Sequence, residues 1–275
     1  MTIVVTGATG PFGRHAVESL LARGVPADQI VATGRQIDKI KDLGVRTERA
    51  DYEDPAALRA VFDGAEKVLF VSSSEPGKRV PQHRNVVEAA TAAGVSLLAY
   101  TSIAHADTSD LILAGEHQAT EQMIRESGLP HVLLRNSWYY ENYDFAGVVE
   151  NGLFGASGDG RISAAARGDL AEAAAAALIK GEPRVYELGG PGFTLADLAA
   201  QVSEVAGRPV TYTDLSPEKY AEFLVGVGLP EEAAAVISDA DRGAAKGALE
   251  TGPADLEELL GRPATPVSDA IRAAL

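Results

Sequence analysis

Apolar and polar positions alternate between two rhythms over the first half of the chain. Thr2–Thr6 is a short β-branched run and reads as a buried strand. Pro11–Arg23 carries Ala16, Val17, Leu20 and Leu21 at helical spacing, and Gly24 and Pro26 stop it. Ile30–Thr33 is the next strand, and Asp54 caps a short helix with Pro55 at its first position. Lys67–Ser72 is another apolar run. Val80–Ala93 reads as a helix ended by Gly94, Ser96–Ser102 as a strand, Ala114–Ser127 as a helix and 131–137 as a strand. This alternation predicts an α/β fold, a Rossmann-like doubly wound parallel sheet built from right-handed crossovers. Nearly continuous apolar strands fit a sheet covered on both faces.

After residue 138 the rhythm changes. "WYYENY" is an aromatic, polar loop and "SGDGRIS" a turn. A helix is expected at Leu170–Ile179, a strand at Val185–Leu188, a helix capped by Thr194, and a strand, cap and helix in "VTYTDLSPEKY" with Ser216 before Pro217. The expected division is a Rossmann domain over 1–137, with later segments returning to it, and a smaller α/β substrate lobe over most of 138–275 that does not fold by itself.

Composition narrows the function. Across 275 residues the formal net charge is −15, so no basic field draws nucleic acid or an anionic membrane. There is no cysteine, which excludes disulfides, thiol nucleophiles and thiolate metal sites. The five histidines, at 15, 83, 105, 117 and 131, lack ligand spacing, so no metal is expected. No apolar stretch approaches the ~20 residues of a membrane span, and the chain enters a strand without a leader-like segment. A cytoplasmic protein is expected.

"VTGATGPFG" places Gly7, Gly10 and Gly13 three apart, between a strand and a helix. In that context the spacing predicts a dinucleotide site. Gly7 permits the tight turn, Gly10 admits the pyrophosphate close to the backbone, and Gly13 lets the helix pack closely, with the helix N-terminus facing phosphate. The second strand ends Thr33-Gly34-Arg35. No carboxylate stands there to hold a free ribose 2′-hydroxyl. Arg35 can pair with a 2′-phosphate and Gly34 leaves room beside it, so NADPH is the expected cofactor.

With these features, "VTGATGPFG", "SSSEPGKRVPQHRNVVEAA", "EHQATEQMIRESGL" and "LLRNSWYYENY" resemble the NmrA-like branch of atypical short-chain dehydrogenase/reductases. Within that branch the likeness is greatest to bacterial type 2 NAD(P)H:quinone oxidoreductases, with triphenylmethane dye reductases near by. The resemblance implies NADPH in the sheet domain and a quinone or other aromatic acceptor in the cleft below the lobe, and it allows a homodimer. Carried over by position, it assigns the cofactor to Gly7, Thr9, Gly10, Pro11, Phe12, Gly13 and Arg35. It adds Ser72, Ser73 and Ser74, then Asn136, Ser137, Trp138, Tyr139, Tyr140 and Glu141, and finally Arg167. Trp138, Tyr139 and Tyr140 would also offer flat faces to the substrate.

One departure matters. The wider superfamily uses a serine with a tyrosine and a lysine four residues apart; here Ser102 keeps the serine position, His117 takes the lysine's, and Leu113 stands for the tyrosine. Alcohol–ketone chemistry lacks its acid. A quinone is already electron-poor; His117 can supply its proton or hold the ribose, and water can supply the proton as well. Ser102 and His117 are therefore the candidate catalytic residues. Two competing readings share the glycine loop: a non-enzymatic NADP(H) sensor, which needs no substrate pocket at nicotinamide C4, and an azo or triphenylmethane dye reductase, which needs a larger cleft.

Overall fold

The computed structural model describes residues 1–275. Seven strands form one all-parallel sheet: β1 (Ile3–Val5), β2 (Ile30–Gly34), β3 (Arg46–Arg49), β4 (Lys67–Phe70), β5 (Leu97–Ile103), β6 (His131–Asn136) and, after a short β7 (Leu153–Gly155) outside it, β8 (Arg184–Leu188). Their order is β3-β2-β1-β4-β5-β6-β8. The chain runs outward from β1 to β3, then crosses back to β4 on the other side. That reversal splays the loops after β1 and β4 and opens a crevice at their carboxyl ends, where ligands bind in sheets of this kind.

Helices cover both faces. They are α1 (Pro11–Ala22), α2 (Pro55–Phe62), α3 (Arg79–Ala93), α4 (Ala114–Glu126), α5 (Phe145–Asn151), α6 (Arg167–Lys180), α7 (Leu195–Ala206), α8 (Pro217–Gly226), α9 (Glu231–Ala244), α10 (Ala254–Leu260) and α11 (Val267–Ala274). Strand residues alternate between the faces. Ile3, Val5, Leu69, Ala99 and Leu134 pack with α1, α6 and α10, whereas Val4, Val68, Phe70, Leu98 and Tyr100 pack with α2, α3 and α4. Each large side chain so buried contributes roughly 1.5–3 kcal/mol. The alanine run of α6 lets it lie close against α1, and β8 extends the sheet beyond β6, so residues 167–188 belong to the sheet's own core.

A third core forms the lobe. Tyr140, Phe145, Leu153, Phe193, Leu198 and Leu249 meet there, and β7 pairs in parallel with β9 (Tyr212–Asp214). Thr194 and Asp197 form a capping box for α7, and the Ser216 hydroxyl accepts from the Lys219 N–H at the start of α8.

The differences from the sequence reading have local causes. β3 is "RTER", a polar edge strand with no apolar pattern to announce it. The strand expected over Lys67–Ser72 ends at Phe70, because the Val71 and Ser72 N–H groups turn to side chains, Thr6 Oγ1 at 3.1 Å and Thr101 Oγ1 at 2.8 Å. Past α8, the helices α9 to α11 lie beyond the reach of the expected pattern.

Candidate active site

The loops after β1, β2, β3 and β4 enclose a cavity of about 770 Å³, a size suited to a dinucleotide-scale ligand. One wall is the glycine loop. Gly7 has φ +61°, a left-handed conformation that glycine adopts without strain. The Gly10 N–H donates to the Gly7 carbonyl at 3.0 Å. A Cβ on Gly13 would lie 2.5 Å from that same carbonyl oxygen, so only glycine lets α1 rest on the loop backbone. Gly10 caps α1 without any side-chain bond, and the first turn holds no acid. The N–H groups of that turn are thus left for an anion. Gly34 is on the lining, and a Cβ there would lie 2.7 Å from Thr9 Cγ2, so the missing side chain also seats Thr9.

Against a net charge of −15, four cations line this cavity: Arg35, Lys39, Arg79 and Arg167. Arg35 pairs with Glu75 across the opening, and the bond to that carboxylate raises the guanidinium's pKa. The floor is stitched by Tyr52, whose hydroxyl donates to the Val71 carbonyl at 2.6 Å and lies 2.6 Å from Thr6 Oγ1.

The serine loop is held from below. The Ser73 N–H donates to His83 Nε2 at 3.0 Å, and His83 Nδ1 lies 2.8 Å from Thr120 Oγ1. Since Nε2 accepts, the ring is neutral with its proton on Nδ1. Burial agrees, pushing its pKa down to about 3. Arg79 Nε donates to the Ser73 carbonyl at 2.8 Å, and Glu116 accepts from the Gly77 and Arg79 N–H groups at 3.1 Å each.

Neither expected catalytic side chain reaches the cavity wall. His117 is 5% exposed and lies behind Arg79, with Nε2 3.4 Å from Arg79 Nη1 and Nδ1 2.7 Å from the Tyr100 hydroxyl. Burial first, then the charge of Arg79, hold its pKa well below 6.5. A ring nitrogen facing a guanidinium accepts, so the proton sits on Nδ1 and points to Tyr100. His117 therefore carries no proton for the cavity. Ser102 follows the pleat: it shares Tyr100's side of the sheet, and its hydroxyl donates to Glu121 Oε1 at 2.7 Å. Glu121 is held in turn by Arg135 through two bonds of 3.0 and 2.8 Å. Thr101, on the opposite side, lines the cavity instead.

The aromatic stretch also divides. Tyr139 lines the cavity, with the Arg167 guanidinium 5.4 Å from its ring centre and Asn136 Nδ2 donating to its hydroxyl at 3.1 Å. Asn136 Oδ1 is buried without a partner. Tyr140 is 1% exposed in the lobe core and Trp138 packs against that core, so neither lines the cavity. Ser137 donates to the Leu249 carbonyl at 2.8 Å. Glu141 accepts from the Arg167 N–H at 2.9 and 3.0 Å, capping α6. These residues shape the Tyr139–Arg167 wall from behind.

Sequence reasoning missed Lys39, Asp51, Tyr52, Glu75, Arg79 and Gln82, all on the lining. Arg79 and Gln82 had one available signal: they are i and i+3 on the first turn of a helix that follows the serine loop.

A model of an NAD(P)H-binding family matches residues 7–180, which include every lining residue of the cavity. The chain belongs to that family. Within it, this member is 47% identical over 278 residues to quinone oxidoreductase 2 of Escherichia coli (strain K12), covering 98% of this chain and 97% of the relative. The crystal structure of an Escherichia coli NADPH-dependent quinone oxidoreductase complexed with NADPH superposes with a TM-score of 0.95 at 45% identity, covering 99% of each chain. A Citrobacter sp. triphenylmethane reductase complexed with NADP(H) gives 0.91 at 34% identity, covering 100% of each. No helix is long and apolar enough to cross a membrane.

Proposed function

We propose that this chain is an NADPH-dependent quinone reductase. The observation that carries the reading is its likeness, over 99% of both chains, to a quinone oxidoreductase complexed with NADPH. The cavity supports it independently. Gly7 to Gly13 and the open first turn of α1 would hold the pyrophosphate, and Arg35 the 2′-phosphate. The four cations on the lining, Arg35, Lys39, Arg79 and Arg167, fit a ligand that carries several negative charges.

When bound, NADPH supplies a hydride from nicotinamide C4 to the quinone ring, a proton from solvent completes the hydroquinone, and NADP⁺ is left. The protein's part is alignment and charge. Tyr139 offers a flat wall, fixed by Asn136 and by Arg167 over its ring. Arg79, held by Ser73 and backed by neutral His117, puts a fixed positive charge on the same lining, where it favours negative charge building on an acceptor oxygen. No side chain on the lining has to act as the proton donor.

The test is NADPH oxidation, followed anaerobically at 340 nm, with a panel of quinones and with azo and triphenylmethane dyes as separate arms. Turnover with quinones is the expected result. Turnover with dyes alone would transfer the assignment to dye reduction. Oxidation with neither, coupled to NADPH-dependent binding of a protein, would establish the sensor.

A further inference from the structure

We infer that Glu75 sets the preference between NADPH and NADH by competing with the 2′-phosphate for Arg35; the inference rests on the NADPH reading above. Arg35 directly follows β2 and Glu75 follows the serine loop, so the two approach from different loops of the cavity and pair across it. Glu75 is not a loose surface acid. Its backbone N–H donates to Ser73 Oγ at 3.2 Å, and its Oε2 accepts from Gln82 Nε2 at 3.2 Å with Lys78 Nζ 3.4 Å away. Gln82 is itself buried and anchored to Glu53 at 3.2 Å. The carboxylate is thus fixed on the cavity lining with one oxygen on the guanidinium.

A 2′-phosphate and this carboxylate are two anions seeking one cation. NADPH has to take Arg35 from Glu75 and then sit beside a retained negative charge. NADH brings a 2′-hydroxyl instead, which can donate to a carboxylate and leave the Arg35 pair intact. Glu75 therefore penalises the phosphorylated cofactor and supports the other. A device that acts by disfavouring one ligand is an ordinary source of specificity. It narrows the preference that Arg35 alone would give and lets one chain use both reduced nicotinamides.

Glu75→Gln removes the charge and keeps the size. The experiment measures binding of 2′,5′-ADP and 5′-AMP by calorimetry to the full chain, to Glu75→Gln, to Arg35→Ala and to the double variant. Expected for Glu75→Gln is tighter 2′,5′-ADP by about 3- to 10-fold, with 5′-AMP unchanged or weaker, and no gain when Arg35 is absent. The kinetic counterpart is a lower KM for NADPH relative to that for NADH. If Arg35→Ala weakens 2′,5′-ADP while Glu75→Gln leaves it unchanged or weaker, the competition is overturned and the NADPH reading stands. If Arg35→Ala leaves 2′,5′-ADP unaffected, the phosphate is held elsewhere and the competition fails; if the full chain binds 2′,5′-ADP no tighter than 5′-AMP, the NADPH reading fails with it.

Discussion

His117 Nε2 faces Arg79 Nη1 at 3.4 Å, and the imidazole is buried behind the guanidinium. On the mechanism proposed above, the histidine acts through the arginine. Arg79→Ala should lower kcat/KM for quinone by about 10- to 100-fold, as expected for loss of one charged hydrogen-bonding group. His117→Ala should cost about 10-fold or less. The pH–rate profile tells positioning from acid catalysis. Wild-type enzyme and His117→Ala should have the same profile between pH 5.5 and 8. A limb near 6.5 that vanishes in His117→Ala would restore His117 as the proton donor.

Stability should respond to the same histidines. His83 and His117 are held neutral in the fold, with His83 at about 3 and His117 well below 6.5. Unfolded, each takes up a proton near its ordinary ~6.5. As pH falls below that value the unfolded chain binds more protons, so stability drops by up to ~1.4 kcal/mol per pH unit for each histidine. Asp241 opposes one of them, since burial raises its carboxyl to about 6 and the folded state then gains the proton first. The net expectation is a melting temperature that falls between pH 6.5 and 5, earlier than carboxylate protonation alone would cause. A flat melting temperature to pH 5 would contradict the neutral state assigned to both rings.

Ser102→Ala should be a stability mutation. It removes one donor from a carboxylate that is 1% exposed and paired with an arginine side chain that is 5% exposed. The expected cost is about 1–3 kcal/mol, read by urea denaturation, with kcat within about threefold of wild type. Glu121→Ala, which unpairs Arg135 Nε and Nη2 and leaves the guanidinium to Asp107 and Glu187, should cost more than Ser102→Ala. A large loss of kcat in Ser102→Ala at unchanged stability would return the serine to catalysis.

Gly10→Val should abolish cofactor binding and spare the fold. A Cβ at Gly10 meets only the Gly7 carbonyl oxygen, at 3.4 Å, so the loop tolerates a side chain. That side chain occupies the cavity lining where phosphate approaches. Gly13→Ala is the contrasting case, with its Cβ 2.5 Å from backbone, and should destabilise the fold. Tight NADPH binding by Gly10→Val would put the pyrophosphate elsewhere.

The sheet, its main crossovers and the glycine loop were legible because each rests on a local pattern: apolar strands, helical spacing, and glycines between strand and helix. The inner edge of the site was not. Ser102 and Thr101 are neighbours in sequence, yet the pleat sends one toward Glu121 and the other to the cavity. A position assigned by resemblance does not carry that direction. Trp138, Tyr139 and Tyr140 divide in the same way, with only Tyr139 on the lining. Glu75 and Arg79 went unread from the sequence because their partners, Arg35 and His117, lie 40 and 38 residues away.

Direct hydride transfer to a quinone is the central claim, and the kinetic isotope effect of C4-deuterated NADPH tests it most directly. Single-turnover reduction of a quinone, with the label on one face of C4 and then on the other, reads the chemical step. One labelled face should slow the reaction severalfold as a primary effect, and the other should leave it nearly unchanged. Quinone reduction with no effect from either face, or no reduction at saturating NADPH, would contradict the account.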